Sequence, residues 1–236
     1  MTGHGAGPRP YVLASCAMSV DGYIDDATPA RLLLSNGEDF DRVDEVRASC
    51  DALLVGAETI RRDNPRLLVR SEVRRDARVA ARLPPSPAKV TLSVSGRLDP
   101  ASSFFSATVG DAPRLVYCPS AAVAVAKEAV GGVATVVDAG AGLELAEVLA
   151  DLWGRGIGRL MVEGGTRVLT QLLTAGFVDE LHLAVAPFFV GQPEAPRFVA
   201  GGVFPWDANR RMRLAETRQM GDVILLRYLP PIATEG

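Results

Sequence analysis

Histidine is almost absent: His4 and His182 are the only two in 236 residues. That count nearly excludes a histidine metal cluster or a histidine-based nucleophile triad, and no metal site is expected. Cysteine is scarce as well. Cys16, Cys50 and Cys118 are an odd number with no C-x-x-C spacing, and they read as small core thiols suited to a reducing cytoplasm. No apolar run is long enough to span a bilayer. The opening MTGHGAGPRP lacks the apolar stretch of a secretion signal. Two nucleotide signatures are missing. There is no G-x-x-x-x-G-K-[ST], and GRGIG at Gly154–Gly158 is not G-x-G-x-x-G and precedes an apolar run instead of following one. The H-x-E…P-C-x-x-C pattern of zinc deaminases is also missing. What remains is chemistry that a cofactor carries.

A packed core is expected, because hydrophobic residues make up 48% of the chain and charged residues 22%. Net charge is −3, unevenly placed: Arg61–Lys89 holds nine basic and three acidic residues. This stretch reads either as a solvated, mobile basic loop or as an attractor for a phosphorylated ligand. It contains no aromatic residue to stack on bases, which argues against nucleic acid.

The most informative stretch is LMVEGGTRVLTQ at Leu160–Gln171. A buried-strand run through Val162 is broken by Glu163, Gly164 and Gly165. Helical spacing of Val168, Leu169, Leu172 and Leu173 follows, ending at Gly176. A strand–glycine–helix junction admits a phosphate to the backbone and aims helix N–H groups at it. An ordinary tight turn has the same pattern.

Elsewhere, strands are expected over Tyr11–Met18, Asp51–Val55, Lys89–Val94, Arg114–Cys118, Val133–Val137 and Val178–Val185. Between Met212 and Leu229 two strands hinge at Gly221-Asp222. Ser35 and Glu38 form a capping-box pattern that starts a helix over Gly37–Ser49, with Phe40, Val43 and Val46 inward. A short helix through Thr59 and Ile60 stops at Asn64-Pro65. Leu83–Pro87 is a stiff connector. Helices are also expected over Ala121–Val130 and Leu143–Trp153. Alternating strands and helices give an α/β fold, a mostly parallel central sheet with helices on both faces and a C-terminal antiparallel hairpin. No composition break forces a second domain, so residues 10–230 are expected to form one, with residues 1–9 extended or disordered and 231–236 a tail.

Five stretches resemble the pyrimidine reductases of riboflavin biosynthesis, in that family's order. They are AMSVDGYI (Ala17–Ile24), VRASCDALLVGAETIRRDNPRL (Val46–Leu67), LVR (Leu68–Arg70), VEGGTRVLTQLL (Val162–Leu173) and AGFVDELHLAVAPFFVG (Ala175–Gly191). The family occurs free-standing or as the C-terminal half of a bifunctional deaminase–reductase, and has a dihydrofolate reductase-like fold. The resemblance implies NADPH as cofactor and hydride delivery to C1′ of a phosphoribosylamino-pyrimidine, giving the ribitylamino form. A separate protein would perform the deamination.

Carried over residue by residue, Met18 and Ser19 lie near the nicotinamide. Thr59 and Asp63 lie near the cofactor. Ser93, Val94, Ser95 and Gly96 touch its adenosine side, Gly164, Gly165, Thr166 and the start of the following helix hold its pyrophosphate, and Val162 is a further cofactor contact. Arg47, Leu67, Arg70 and Glu163 match substrate contacts, with Glu163 as the candidate catalytic acid. Asp21 reads as the former of an Asp-Gly turn.

The chain departs from the family at Leu33, often tryptophan, with Arg31 nearby. It also departs at Asn64, aspartate in the DDP version, at Thr166, frequently proline, and at Val94 and Gly96. Superfamily resemblance also implies a cis Gly164-Gly165 peptide and a cytoplasmic homodimer. The Leu181–Val190 run with Phe188 and Phe189 needs burial, either within the sheet or against a second copy. Two other readings share the fold: a reductase of another heterocycle such as a pterin, and a non-catalytic nucleotide-binding relative.

Overall fold

The computed structural model describes residues 7–28, 30 and 32–231; Arg31 and His4 lie outside them. The chain divides into two compact units, Met1–Tyr11 with Asp44–Met161 and Val12–Val43 with Val162–Gly236.

The first unit holds β2 (Ala52–Gly56), β3 (Ala88–Leu92), β4 (Arg114–Cys118), β5 (Thr135–Asp138) and most of β6 (Arg159–Val162). β2 through β5 pair in parallel. Every residue of β2 and β3 is buried, as strands covered on both faces must be. The helices are α2 (Ala57–Asp63), α3 (Glu72–Ala80), α4 (Ser103–Ser106), α5 (Val123–Val130) and α6 (Leu145–Gly154).

The basic Arg61–Lys89 stretch is not a mobile loop. Its centre is α3, whose cap Ser71 accepts the Arg74 N–H. Buried Arg78 donates to the carbonyls of Ala48, Cys50 and Pro84. Buried Lys89 donates to those of Phe104 and Ala107. Arg61 pairs with Glu58, and Arg75 donates to the carbonyls of Val69 and Arg70. Several of these cations therefore hold the chain together, which sequence counting cannot separate from ligand attraction.

The second unit holds most of β1 (Tyr11–Ser19), with α7 (Thr166–Thr174), β7 (Glu180–Ala186), β8 (Arg213–Met220) and β9 (Val223–Leu229). β1 and β7 are parallel, and β9 runs antiparallel to both β7 and β8. The expected hairpin at Gly221-Asp222 is present, with Gly221 at φ 59°. Leu181–Ala184 is buried in β7, but Phe189 beyond it is 73% exposed, so the sheet does not cover that ring.

Helix α1 (Gly37–Ala48) differs from expectation twice. Its cap is Asn36, whose Oδ1 accepts the N–H groups of Glu38 and Asp39 at 3.1 Å. Ser35 instead donates to the Asp39 carboxylate at 2.6 Å. Asparagine is as strong a cap as serine, and it sits directly before Gly37. Replacing Asn36 by alanine is expected to lower stability by about 1 kcal/mol, with Ser35→Ala costing less, as read by urea midpoint.

The inward face of α1 is also charged. Asp39, Arg42 and Asp44 are buried, whereas Phe40, Val43 and Val46 are only half-buried. Arg42 bonds Asp39 at 2.8 Å and His182 Nδ1 at 3.1 Å. A guanidinium only donates, so Nδ1 accepts and His182 Nε2–H donates to Glu180 at 2.8 Å. Glu180 is completed by Arg227. The charges are buried because each is paired.

Candidate active site

In the second unit, β6 ends at Val162 and α7 begins at Thr166. Glu163 is half-buried between them. Gly164 is buried at φ 114°, a conformation that L side chains rarely adopt. A Cβ built there meets nothing within 4 Å, so the space before the strand end is open. Gly165, the cap of α7, has φ −86° and ψ −151° and, as a glycine, brings no capping side chain of its own. The Gly164-Gly165 peptide is not cis: no cis bond occurs among the described residues. The backbone reverses through the positive φ of Gly164 instead. The junction fits a pyrophosphate, since a glycine-lined backbone leads directly into a helix amino end.

Met18 and Ser19 close β1. Ser19 is buried and its hydroxyl is engaged, donating to Asp21 at 2.6 Å and accepting the Tyr23 N–H. Asp21 also accepts the N–H groups of Val190 and Gly191, which makes it the turn-former that its Asp-Gly pair suggests.

In the first unit, Thr59 and Asp63 lie one turn apart on α2, both half-buried. Asn64 caps that helix in the left-handed region, at φ 43°, and its Oδ1 accepts the Ser103 N–H. Leu67 is also left-handed, at φ 46°, and buried. Arg47, in the last turn of α1, donates to the Leu68 carbonyl at 3.3 Å. The Arg70 side chain is 55% exposed, with Nε 3.8 Å from Asp44. The structure thus brings Arg47 and Arg70 to one short segment.

Sequence reasoning missed the residue that shapes that segment. Asp44 accepts the N–H groups of Arg70 and Ser71 and the Arg74 side chain. Those bonds and the Arg74 charge outweigh its desolvation and hold its carboxyl below the usual range. Nothing local marks Asp44, whose partners lie 26 to 30 residues away.

The four residues after β3 divide in two. Ser93 is buried and its hydroxyl accepts the Gly96 N–H. Gly96, at φ 68°, allows close approach of the α5 region, since a Cβ there would lie 2.5 Å from the Ala122 carbonyl. These two build the turn, and the exposed Val94 and Ser95 present it.

A family model described as the RibD C-terminal domain matches residues 10–226. The chain belongs to the RibD C-terminal domain family. It is similar to the 2,5-diamino-6-ribosylamino-4(3H)-pyrimidinone 5′-phosphate reductase of Methanothermobacter thermautotrophicus. The two are 34% identical over 222 residues, covering 93% of this chain and 98% of that one. A pyrimidine reductase-like protein from Corynebacterium diphtheriae shares the fold, with a TM-score of 0.76 at 24% identity over 97% of each chain. Dihydrofolate reductase from Enterococcus faecalis is similar at a TM-score of 0.51 and 12% identity, over 93% of this chain and 96% of that one. The dihydrofolate reductase-like fold expected for RibD C-terminal domains is therefore the fold of this chain.

Proposed function

We propose that the chain is an NADPH-dependent reductase of riboflavin biosynthesis that acts on the diamino phosphoribosylamino-pyrimidinone. The Gly164–Thr166 junction carries the cofactor reading: a positive-φ glycine with open space at its Cβ position, leading into the amino end of α7. The 34% identical relative, matched over nearly its whole length, supports the diamino substrate by its name.

When bound, NADPH supplies hydride from C4 of its nicotinamide to C1′ of the substrate. The chain's own residues bind and orient. Gly164, Gly165, Thr166 and Val162 receive the pyrophosphate. Thr59, Asp63, Val94 and Ser95 take the adenosine side, on the turn held by Ser93 and Gly96. Met18 and the backbone of Ser19 face the nicotinamide, because the Ser19 hydroxyl is already engaged. Arg47 and Arg70 take the 5′-phosphate, the bent backbone at Leu67 lines the substrate, and Glu163 handles the proton that must follow hydride. Holding two reactants in register accounts for most of such a rate gain, which suits a chain with few acid–base groups.

The working unit is a cytoplasmic homodimer. No described helix is long and apolar enough to cross a membrane, and the exposed Phe189 ring offers apolar surface to a second copy.

The test is NADPH and NADH oxidation with the diamino and the deaminated pyrimidine phosphates. The diamino compound with NADPH is expected to exceed each other pairing by about tenfold or more in kcat/KM. No turnover of either pyrimidine would refute the reading while leaving family membership intact.

A further inference from the structure

The amino end of α7 and the turn that leaves β1 meet at one residue, Arg197. Its carbonyl accepts the hydroxyl of Thr166, the first residue of α7. Its guanidinium donates to the Asp21 carbonyl at 3.1 Å and to the Tyr23 hydroxyl at 2.7 Å. The same group lies over the Tyr23 ring, 4.2 Å from the centroid. Tyr23 and Arg197 also face each other in an antiparallel bridge. On either side of it, Ile24 N–H donates to the Pro196 carbonyl and Phe198 N–H to the Gly22 carbonyl, both at 2.9 Å. One turn along α7, Thr170 accepts the Ala200 N–H at 2.9 Å.

The segment around Arg197 is therefore bonded on one side to α7 and on the other to residues 21–24. A planar guanidinium can hold a carbonyl and a hydroxyl at once and stack on a ring. An ammonium, a compact charge on a flexible stem, does this poorly. Thr166 supplies a hydroxyl that most residue types at that position would lack.

We propose that Arg197 is a positioning residue. It ties the α7 phosphate cradle to the turn after β1, so that the pyrophosphate and nicotinamide ends of the cofactor are gripped as one piece. This rests on the NADPH reading above. Arg197 touches no reacting atom, and its effect passes through Thr166, Asp21 and Tyr23.

The experiment compares wild type with Arg197→Met, Arg197→Lys, Tyr23→Phe and Thr166→Val. It reads amide hydrogen exchange in the chain without ligand, NADPH affinity, and steady-state kinetics. In Arg197→Met, exchange over residues 19–28 is expected to quicken about tenfold or more while β1 and β7 keep their protection. NADPH Kd should rise about tenfold and kcat fall, with KM for the pyrimidine within about twofold. Arg197→Lys should restore part of the affinity, and Tyr23→Phe, which keeps the ring, should show a smaller loss of the same kind. In exchange over residues 19–28, Thr166→Val combined with Arg197→Met should be no worse than Arg197→Met alone, because the two changes break opposite ends of one link.

Unchanged exchange over residues 19–28 would overturn the proposal. So would exchange that quickens additively in the double variant, or a pyrimidine KM that rises as far as the NADPH Kd. If Arg197→Met fails to fold, Tyr23→Phe and Thr166→Val decide the matter by the same measures. A wild-type chain that binds no NADPH would defeat the functional reading, and the exchange data with their Thr166 coupling would still stand or fall separately.

Discussion

Arg47→Ala and Arg70→Ala are each expected to cut kcat/KM for the phosphorylated pyrimidine by about 10- to 100-fold, and together by about 1,000-fold. NADPH affinity should stay within about twofold. The two side chains converge on one segment: Arg47 donates to the Leu68 carbonyl, and Arg70 stands two residues further on with its side chain 55% exposed. A 5′-phosphate there would take charge-assisted bonds from two forks, each worth roughly twice a neutral bond. The phosphate is remote from C1′, so its binding energy is available to orient the reacting carbon. Arg47→Lys sharpens the test, because it keeps the charge and loses the fork. The competing view is that both arginines only solvate or brace the surface. Unchanged turnover in both single variants would establish it. A fall in turnover matched by a large fall in thermal midpoint would assign Arg47 to bracing the Leu68 carbonyl.

Gly165→Val should weaken NADPH binding by about 100-fold or more while the thermal midpoint moves by only a few degrees. The two adjacent glycines differ in what a side chain would do to them. Gly164 sits at φ 114°, so a side chain there strains the backbone whether or not a ligand comes. Gly165 sits at φ −86°, which any residue can adopt. A side chain at 165 therefore imposes no left-handed strain, and on the pyrophosphate reading it sits at the cap of α7, where a phosphate would approach. Titration of NADPH into the folded variant reads the result directly. Parent-like affinity would remove the pyrophosphate from this junction. Gly164→Ala serves as the contrast, since it should lose stability before it loses affinity.

The sheet is legible in the sequence wherever burial alone sets the pattern. The β2 and β6 runs, the double glycine before α7 and the hinge at Gly221-Asp222 all carry their geometry in adjacent residues. α1 misleads because its buried face is ionic. Apolar spacing points to Phe40, Val43 and Val46, but Arg42 turns inward onto Asp39 of the same helix and onto His182 of β7, 140 residues further along. α3 escapes notice for a related reason: its apolar residues are not its buried ones. Val73 is 78% exposed, whereas Arg78 is buried against three carbonyls.

The candidate site divides the same way. Gly164–Thr166 can be found from a local pattern, and the two arginines by resemblance. Asp44 and Arg197, which hold those pieces in place, act through bonds to distant backbone that leave no periodic trace. Ser19, Ser93 and Gly96 are found by resemblance too, but the structure shows that the side chains of the first two, and the missing one of the third, serve the turns.

The left-handed leucine at position 67 limits how this segment can evolve. Holding a non-glycine residue at φ 46° costs of order 1–3 kcal/mol, and glycine would remove that cost. Yet the Leu67 side chain is buried, and deleting a buried leucine side chain costs about 2–5 kcal/mol. Burial outweighs backbone strain, so leucine is retained in a conformation it does not prefer. Four residues span Asn64 and Leu67, both left-handed, leaving little freedom to drift through neutral intermediates. Selection for thermostability would therefore keep leucine at position 67, because glycine loses more in burial than it recovers in backbone strain.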